Sequence, residues 1–290
     1  MLPDDLLTKK SLKNVLAYAK IYVKTKKEIK MNKKLVVFDL DDTLLNDEHK
    51  VSERTVRLLE RVKEEGHLLA FNTARSEMRS ADIFEVVKPD YAIYNGGAHI
   101  TDADGNTIFE AAIEKNDCNE ILREIAKVTD RYSVQNADWF YSANDDYEAP
   151  DVKFFDFKNE EFPTGAYKII AHSNEPHLLE PIAEKYDLDF VTYFGGPFCR
   201  FTKSGVNKAS GSRALANILG IDMADVIAFG DDSGDLGMIC EAGVGVLMKN
   251  AKAHIIDSVK ELQNVTVSKY TNHEDGVAEF LAEYLGISID

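Results

Sequence analysis

The chain has 290 residues, 44% of them apolar and 29% charged, which suits a globular protein with a sizeable core. A formal net charge of −16 argues against nucleic acid as a general partner, and no apolar run is long enough to span a membrane. Cys118, Cys199 and Cys240 are too few and too scattered for a disulfide framework, which points to a reducing cytoplasm, and the histidines form no zinc-binding grouping.

Residues 1–34 carry ten lysines against three acidic residues, so the rest of the chain is more acidic than the total suggests. Within 1–30, Leu12, Val15, Leu16, Ala19 and Val23 fall on one helical face, a basic amphipathic leader. Such a helix can lie on an anionic surface, pack on the acidic body or stay disordered. Met31 offers an alternative start, and an appendage is favoured over a membrane or partner role.

From residue 35 short apolar strands alternate with amphipathic helices. LVVFDL (35–40) reads as a buried strand, SERTVRLLERVKEEG (52–66) as a helix capped by Ser52 and stopped at Gly66, and HLLAFN (67–72) as the next strand. A helix over 76–87 and a strand at 89–95 follow, a rhythm that predicts a parallel α/β sheet. After Asn95 the style changes. A hairpin over 98–113 turning at Asp104-Gly105, a helix at 117–131, strands at 138–142, 151–157 and 166–172, a helix at 175–186 and strands at 188–194 and 198–202 predict an inserted α+β domain over 96–200. The α/β rhythm then resumes: a helix at 207–220, a strand at 225–230, a helix at 235–243, a strand at 244–248, a helix from Ala251, a strand at 264–267 and a last helix from near Glu274. The expected organisation is a core of 31–95 and 201–290 with the insertion between its halves.

Ligands of open α/β sheets bind beyond the carboxyl ends of the parallel strands. Four chemically loaded stretches fall at such places: DLDDT (Asp39 to Thr43), FNTAR with Thr73, SGVNKASG with Lys208 at a helix start, and FGDDSGD (Asp231 to Asp235). A lone DxDxT is usually a turn or a helix cap; four such stretches in order are far more specific. Together they resemble the haloacid dehalogenase superfamily and, within it, phosphatases of the Cof type, with a Rossmann-like parallel-sheet core and a large α+β cap. The likeness covers about 33–286 and includes YNGGAHI where the chain leaves the core, GVGVLMKNA late in it and HEDGVAEFL near its end.

The resemblance implies Asp39 as nucleophile, Asp41 as general acid/base, and Thr73 and Lys208 as holders of the transferring phosphoryl group. It implies Mg2+ held by Asp39, the Asp41 backbone carbonyl, Asp231 and Asp235. The chemistry is coherent: a carboxylate attacking an anionic phosphate monoester needs charge cancelled, and Mg2+ prefers oxygen ligands. The function implied is a cytoplasmic, Mg2+-dependent phosphatase acting on a small phosphorylated metabolite, a sugar phosphate being one class, through an aspartyl-phosphate. The rivals are a phosphomutase on the same core and a non-catalytic regulatory or binding protein on this fold. The sequence departs from the family at Gly234, where Asn is common, and at Ala74, where Gly is common. Asn95, Gly96 and Gly97 read as a hinge, and Trp139, Phe140 and Tyr141 as cap core more readily than as pocket wall.

Overall fold

The strand expected at 35–40 forms as β1 (Leu35–Phe38), at the centre of the larger of two sheets in a computed structural model of the chain. The structure describes residues 33–137, 139–144, 152–193 and 196–288, so the leader 1–30 lies outside the described residues. Among the described residues, no helix is long and apolar enough to cross a membrane.

Alternation along β1 sends Val36 and Phe38 into one apolar cluster and Leu35 and Val37 into another. Helices cover both faces, so the strand is apolar throughout instead of alternating with polar residues. One face packs on α1 (Glu53–Glu64), α2 (Ala81–Val87) and α8 (Gly276–Leu285); the other packs on α5 (Lys208–Leu219) and α6 (Leu236–Glu241). Each fully buried Leu or Phe contributes about 1.5–3 kcal/mol of apolar burial. Ser52 caps α1 by accepting from the Thr55 N–H, as its position predicts.

β2 (Leu68–Asn72) and β3 (Tyr91–Tyr94) extend the sheet on one side of β1. β12 (Val226–Gly230), β13 (Val244–Leu247) and β14 (Val265–Val267) extend it on the other, all parallel. The winding direction reverses between β1 and β12, and at such a switch point the loops diverge to leave a crevice. β14 is reached through α7 (Ala253–Val259).

The hairpin expected at the start of the insertion forms as β4 (His99–Asp102) and β5 (Thr107–Glu110), but β4 pairs antiparallel with β3. It therefore extends the larger sheet, and the change of style at Asn95 marks a reversal of strand direction before it marks a second sheet. Asp102 closes the turn, accepting from the Asp104 and Asn106 N–H groups.

The second sheet runs in the order β10-β11-β9-β6-β7-β8. Its strands are β6 (Tyr132–Gln135), β7 (Phe140–Ser142), β8 (Val152–Phe154), β9 (Lys168–His172), β10 (Leu188–Thr192) and β11 (Phe198–Lys203). The sequence reading ran a helix to 131 and missed β6, which sits in the middle of the sheet. The helix, α3 (Lys115–Ile125), stops earlier, and with α4 (Glu180–Lys185) it covers one face of this sheet only. Both sheets belong to one compact unit beginning at Lys34.

Candidate active site

Asp39 follows the last residue of β1 and is 6% exposed, its N–H bonded to the Phe229 carbonyl of β12 at 3.1 Å. The chain then turns through a short π-helical segment, Leu40–Leu44, closed by the Leu45 N–H on the Leu40 carbonyl. Asp42 has φ of 55°, a left-handed conformation that Asp tolerates, and this kink separates Asp41 from Thr43 in direction.

Lys208 opens α5 and inserts between two carboxylates, with Nζ 2.8 Å from Asp39 Oδ1 and 2.6 Å from Asp235 Oδ1. Its placement is built from several directions. Asn207 and Ser210 form a reciprocal capping box at the helix start. The buried Asn72 amide donates to the Lys208 carbonyl at 2.7 Å and to the Ser212 hydroxyl at 2.9 Å. Gly97 (φ +110°) and Gly211 let two backbones touch: a Cβ on Gly97 would lie 2.2 Å from the Asn207 carbonyl oxygen, and one on Gly211 2.8 Å from the Gly97 Cα.

Asp235 is fully buried and has both oxygens engaged. Oδ1 takes Lys208, while Oδ2 accepts from the Asp231 and Asp232 N–H groups at 3.1 and 3.2 Å. Gly230 makes room, since a Cβ there would meet the Asp235 Cβ at 2.3 Å. Gly234 leaves its N–H to the Asp232 carboxylate at 2.7 Å. Asp231 sits at the end of β12 and accepts from the Thr43 hydroxyl at 2.9 Å.

Oxygens of Asp39, Asp231 and Asp235 lie within 4.8 Å of one another. Burial pushes the Asp39 carboxyl up to about 8 against the pull of Lys208, and burial with the Asp235 charge pushes Asp231 up to about 7. Burial also disfavours the Lys208 ammonium, but Asp39 and Asp235 outweigh it and hold the group above its usual range. One ammonium faces three crowded carboxylates. An all-oxygen donor set short of positive charge fits a hard divalent cation.

Two of the residues singled out in the sequence lie beside this knot. Thr73, fully buried at the end of β2, bonds its N–H to the Ile93 carbonyl, and its hydroxyl accepts from the Arg75 N–H at 3.1 Å. Asp41 is turned to Arg75, which grips both its oxygens, Nε to Oδ2 at 2.8 Å and Nη2 to Oδ1. The sequence reading gave no task to Arg75, Thr43 or Asn72. Arg75 adjoins Thr73 in FNTAR and was the most visible of them; the other two are legible only once β1, β2 and β12 stand side by side. The predicted hinge residue Asn95 is 3% exposed, with φ of 55° and neither side-chain polar atom bonded.

Buried carboxylates and a lysine thus gather at the switch point of the parallel strands, with a threonine at the end of the neighbouring strand. A sequence model of the haloacid dehalogenase-like hydrolases matches residues 36–281. The chain is 28% identical over 277 residues to the 5-amino-6-(5-phospho-D-ribitylamino)uracil phosphatase YitU of Bacillus subtilis, covering 87% of this chain and 98% of the relative. It is 26% identical over 268 residues to an HMP-PP phosphatase of Yersinia pseudotuberculosis, covering 87% and 95%. A crystal structure from Thermotoga maritima superposes with a TM-score of 0.74 at 23% identity, over 89% of this chain and 98% of that one. The chain belongs to the haloacid dehalogenase-like hydrolases and, within them, to the phosphatases, which hydrolyse phosphoric monoesters.

Proposed function

We propose that the protein removes a phosphoryl group from a small phosphorylated metabolite by way of an aspartyl-phosphate on Asp39. The observation that carries this reading is the Lys208 ammonium held between Asp39 and Asp235, with Asp231 alongside. Asp39 is the first carboxylate beyond the central strand and has a fixed orientation, as an attacking group needs. Lys208 and the Thr73 hydroxyl would stabilise charge on the phosphoryl oxygens. Asp41 would protonate the leaving oxygen and then take a proton from water, which requires it to leave Arg75. Arg75 thus holds the acid/base aside until substrate arrives.

Asp39, Asp231 and the Asp41 backbone carbonyl would hold Mg2+. Asp235, with both oxygens committed, would position Lys208 and the Asp231 loop. When bound, the ion cancels charge between nucleophile and phosphate. The metabolite is a small one, in keeping with the phosphorylated pyrimidine derivative named for the Bacillus relative. Residues of about 111–203, carrying the second sheet, would act as the cap.

The test is a screen of phosphorylated metabolites with Mg2+, read as released phosphate, followed by acid quench and mass spectrometry of the peptide carrying Asp39. Turnover with a phosphorylated Asp39 peptide is expected. A phosphoryl group moved within a sugar instead of released, or label elsewhere, would overturn the reading.

A further inference from the structure

The second sheet has one covered and one open face. Val134, Ile169, Ala171, Cys199 and Phe201 turn toward α3 and α4. Ser133, Lys168, Ile170 and Arg200 alternate with them and turn the other way. The open face meets the catalytic end of the larger sheet. Lys168 Nζ donates to the carbonyl of Ala74, the residue after Thr73, at 3.1 Å, and the Arg79 guanidinium lies 5.7 Å from the centre of the Phe140 ring. A cavity of about 560 Å³ opens here, walled by Arg79, Ser133, Phe140, Ile170, Tyr193 and Phe198.

Among the described residues, two cations on this face have no carboxylate partner. Lys168 is 8% exposed, and the Ala74 carbonyl takes one of its three N–H groups. Arg200 pairs with Ile170 across the β9–β11 ladder, so it is the diagonal neighbour of Lys168, about 7–8 Å away by ladder geometry. Its Nε is buried without an acceptor, and its guanidinium lies 5.8 Å from the centre of the Tyr193 ring. Burial first, then the charges of Arg200 and Arg79, push the Lys168 ammonium down to about 8. A buried ammonium beside a half-buried guanidinium, neither with a counter-charge, is costly, and such a pair is complementary to an anion that arrives from outside. The transferring phosphoryl group already has Lys208 and Thr73. Arg200 stands one strand further along, next to Ile170 and Tyr193, two residues of the cavity wall.

We propose that Lys168 and Arg200 bind a second anionic group, a phosphate or a carboxylate, carried on the leaving group of the substrate. The inference rests on the phosphatase reading and adds a substrate class: phosphomonoesters that are anionic at both ends, with the connecting portion against Phe140 and Phe198. The cations act on binding, so their effect falls on KM more than on kcat.

The experiment compares matched substrates with purified protein and Mg2+. One pair is a hexose monophosphate and the corresponding bisphosphate; the other is phenyl phosphate and its para-carboxylate. In at least one pair kcat/KM should favour the doubly anionic member roughly tenfold, the scale of one charge-assisted hydrogen bond. Which pair responds tells phosphate from carboxylate. Arg200→Gln should shrink that ratio by about tenfold through KM, and Arg200→Lys should restore most of it. If Arg200→Gln does not fold, Ser133→Asp, which sets a carboxylate on the same face, should shrink the ratio likewise. A wild-type ratio near one in both pairs, or a ratio untouched by the substitution, would overturn the inference and leave the phosphatase reading standing. No phosphate release from any of the four, with release from another phosphomonoester in the screen, would overturn the inference alone; no release across the whole screen would sink both.

Discussion

The two sheets of this protein solve opposite problems. The larger is parallel from β14 through β3, with helices on both faces of those strands, and gathers its buried carboxylates and Lys208 where they end. There they are locked: Asp39, Lys208, Asp235, Asp231 and Thr43 form one connected set of bonds. The smaller is mostly antiparallel, and helices cover one of its faces. Its other face holds cations and aromatic rings around a cavity and is far less interlocked. A site whose geometry must not vary is built at strand ends under double cover. A surface that has to match a variable partner is built on the flank of a sheet, where each alternate side chain can change without disturbing the core behind it.

Substitutions test that division, beginning with the largest effect. Asp39→Asn should lower phosphate release by about a thousandfold or more, because the amide cannot attack, while thermal unfolding stays near wild type. Near-normal turnover by a folded, pure variant would refute the fixed role of the larger sheet. Lys208→Met should reduce turnover by about 10²–10³ and also cost about 3–5 kcal/mol, since Asp39 and Asp235 lose their shared cation. Denaturant titration reads the stability change, and a variant slow but as stable as wild type would mean the knot does not brace the fold.

In the smaller sheet, Phe162→Ala removes a fully buried ring that packs on Tyr141, Phe155 and Phe157. It should cost about 3–5 kcal/mol. If the sheets unfold separately, hydrogen exchange should rise in β6, β9 and β11 but not in β1 and β12. Uniform acceleration would show one cooperative unit.

The smallest effect belongs to His67, just before β2, whose Nδ1 accepts from the Lys34 N–H at 3.1 Å. Burial pushes its imidazole below the ordinary 6.5. A ring kept neutral in the fold but free to protonate when unfolded adds stability above about pH 6.5 and loses it as pH falls through the lower folded value. Melting temperature should therefore decline from about pH 6.5 toward pH 5, and His67→Gln should flatten that decline. An identical slope in the variant would remove His67 from the account.

Much of the larger sheet was legible because its signals are local. An apolar run ending in carboxylates, followed by a capped helix, requires no knowledge of distant chain. The boundary at Asn95 was misplaced because a hairpin looks the same whichever sheet it joins; only the pairing of β4 with β3 decides. β6 was missed because Tyr132, Ser133, Val134 and Gln135 are too few and too mixed to outweigh the helix before them. The aromatic triplet divides by alternation: Tyr141 packs in the core of the smaller sheet, whereas Phe140 lines the cavity. Lys168 gave no signal, since a lysine in a strand ordinarily reads as a solvent-facing residue. Its burial follows from the meeting of β9 with the Ala74 carbonyl, a contact between segments far apart in the chain. Arg75 was visible as a residue but not as the partner of Asp41, which the register of β1 beside β2 brings within reach.

The touching backbones at Gly97 and Gly211 carry a consequence for how such a chain can diverge. A single methyl at either position would collide with fixed backbone and tilt the start of α5, moving Lys208 away from Asp39 without altering any residue in contact with phosphate. In the language of substitution histories, 97 and 211 are each held at glycine, and both are tied to the position of a charge they never touch.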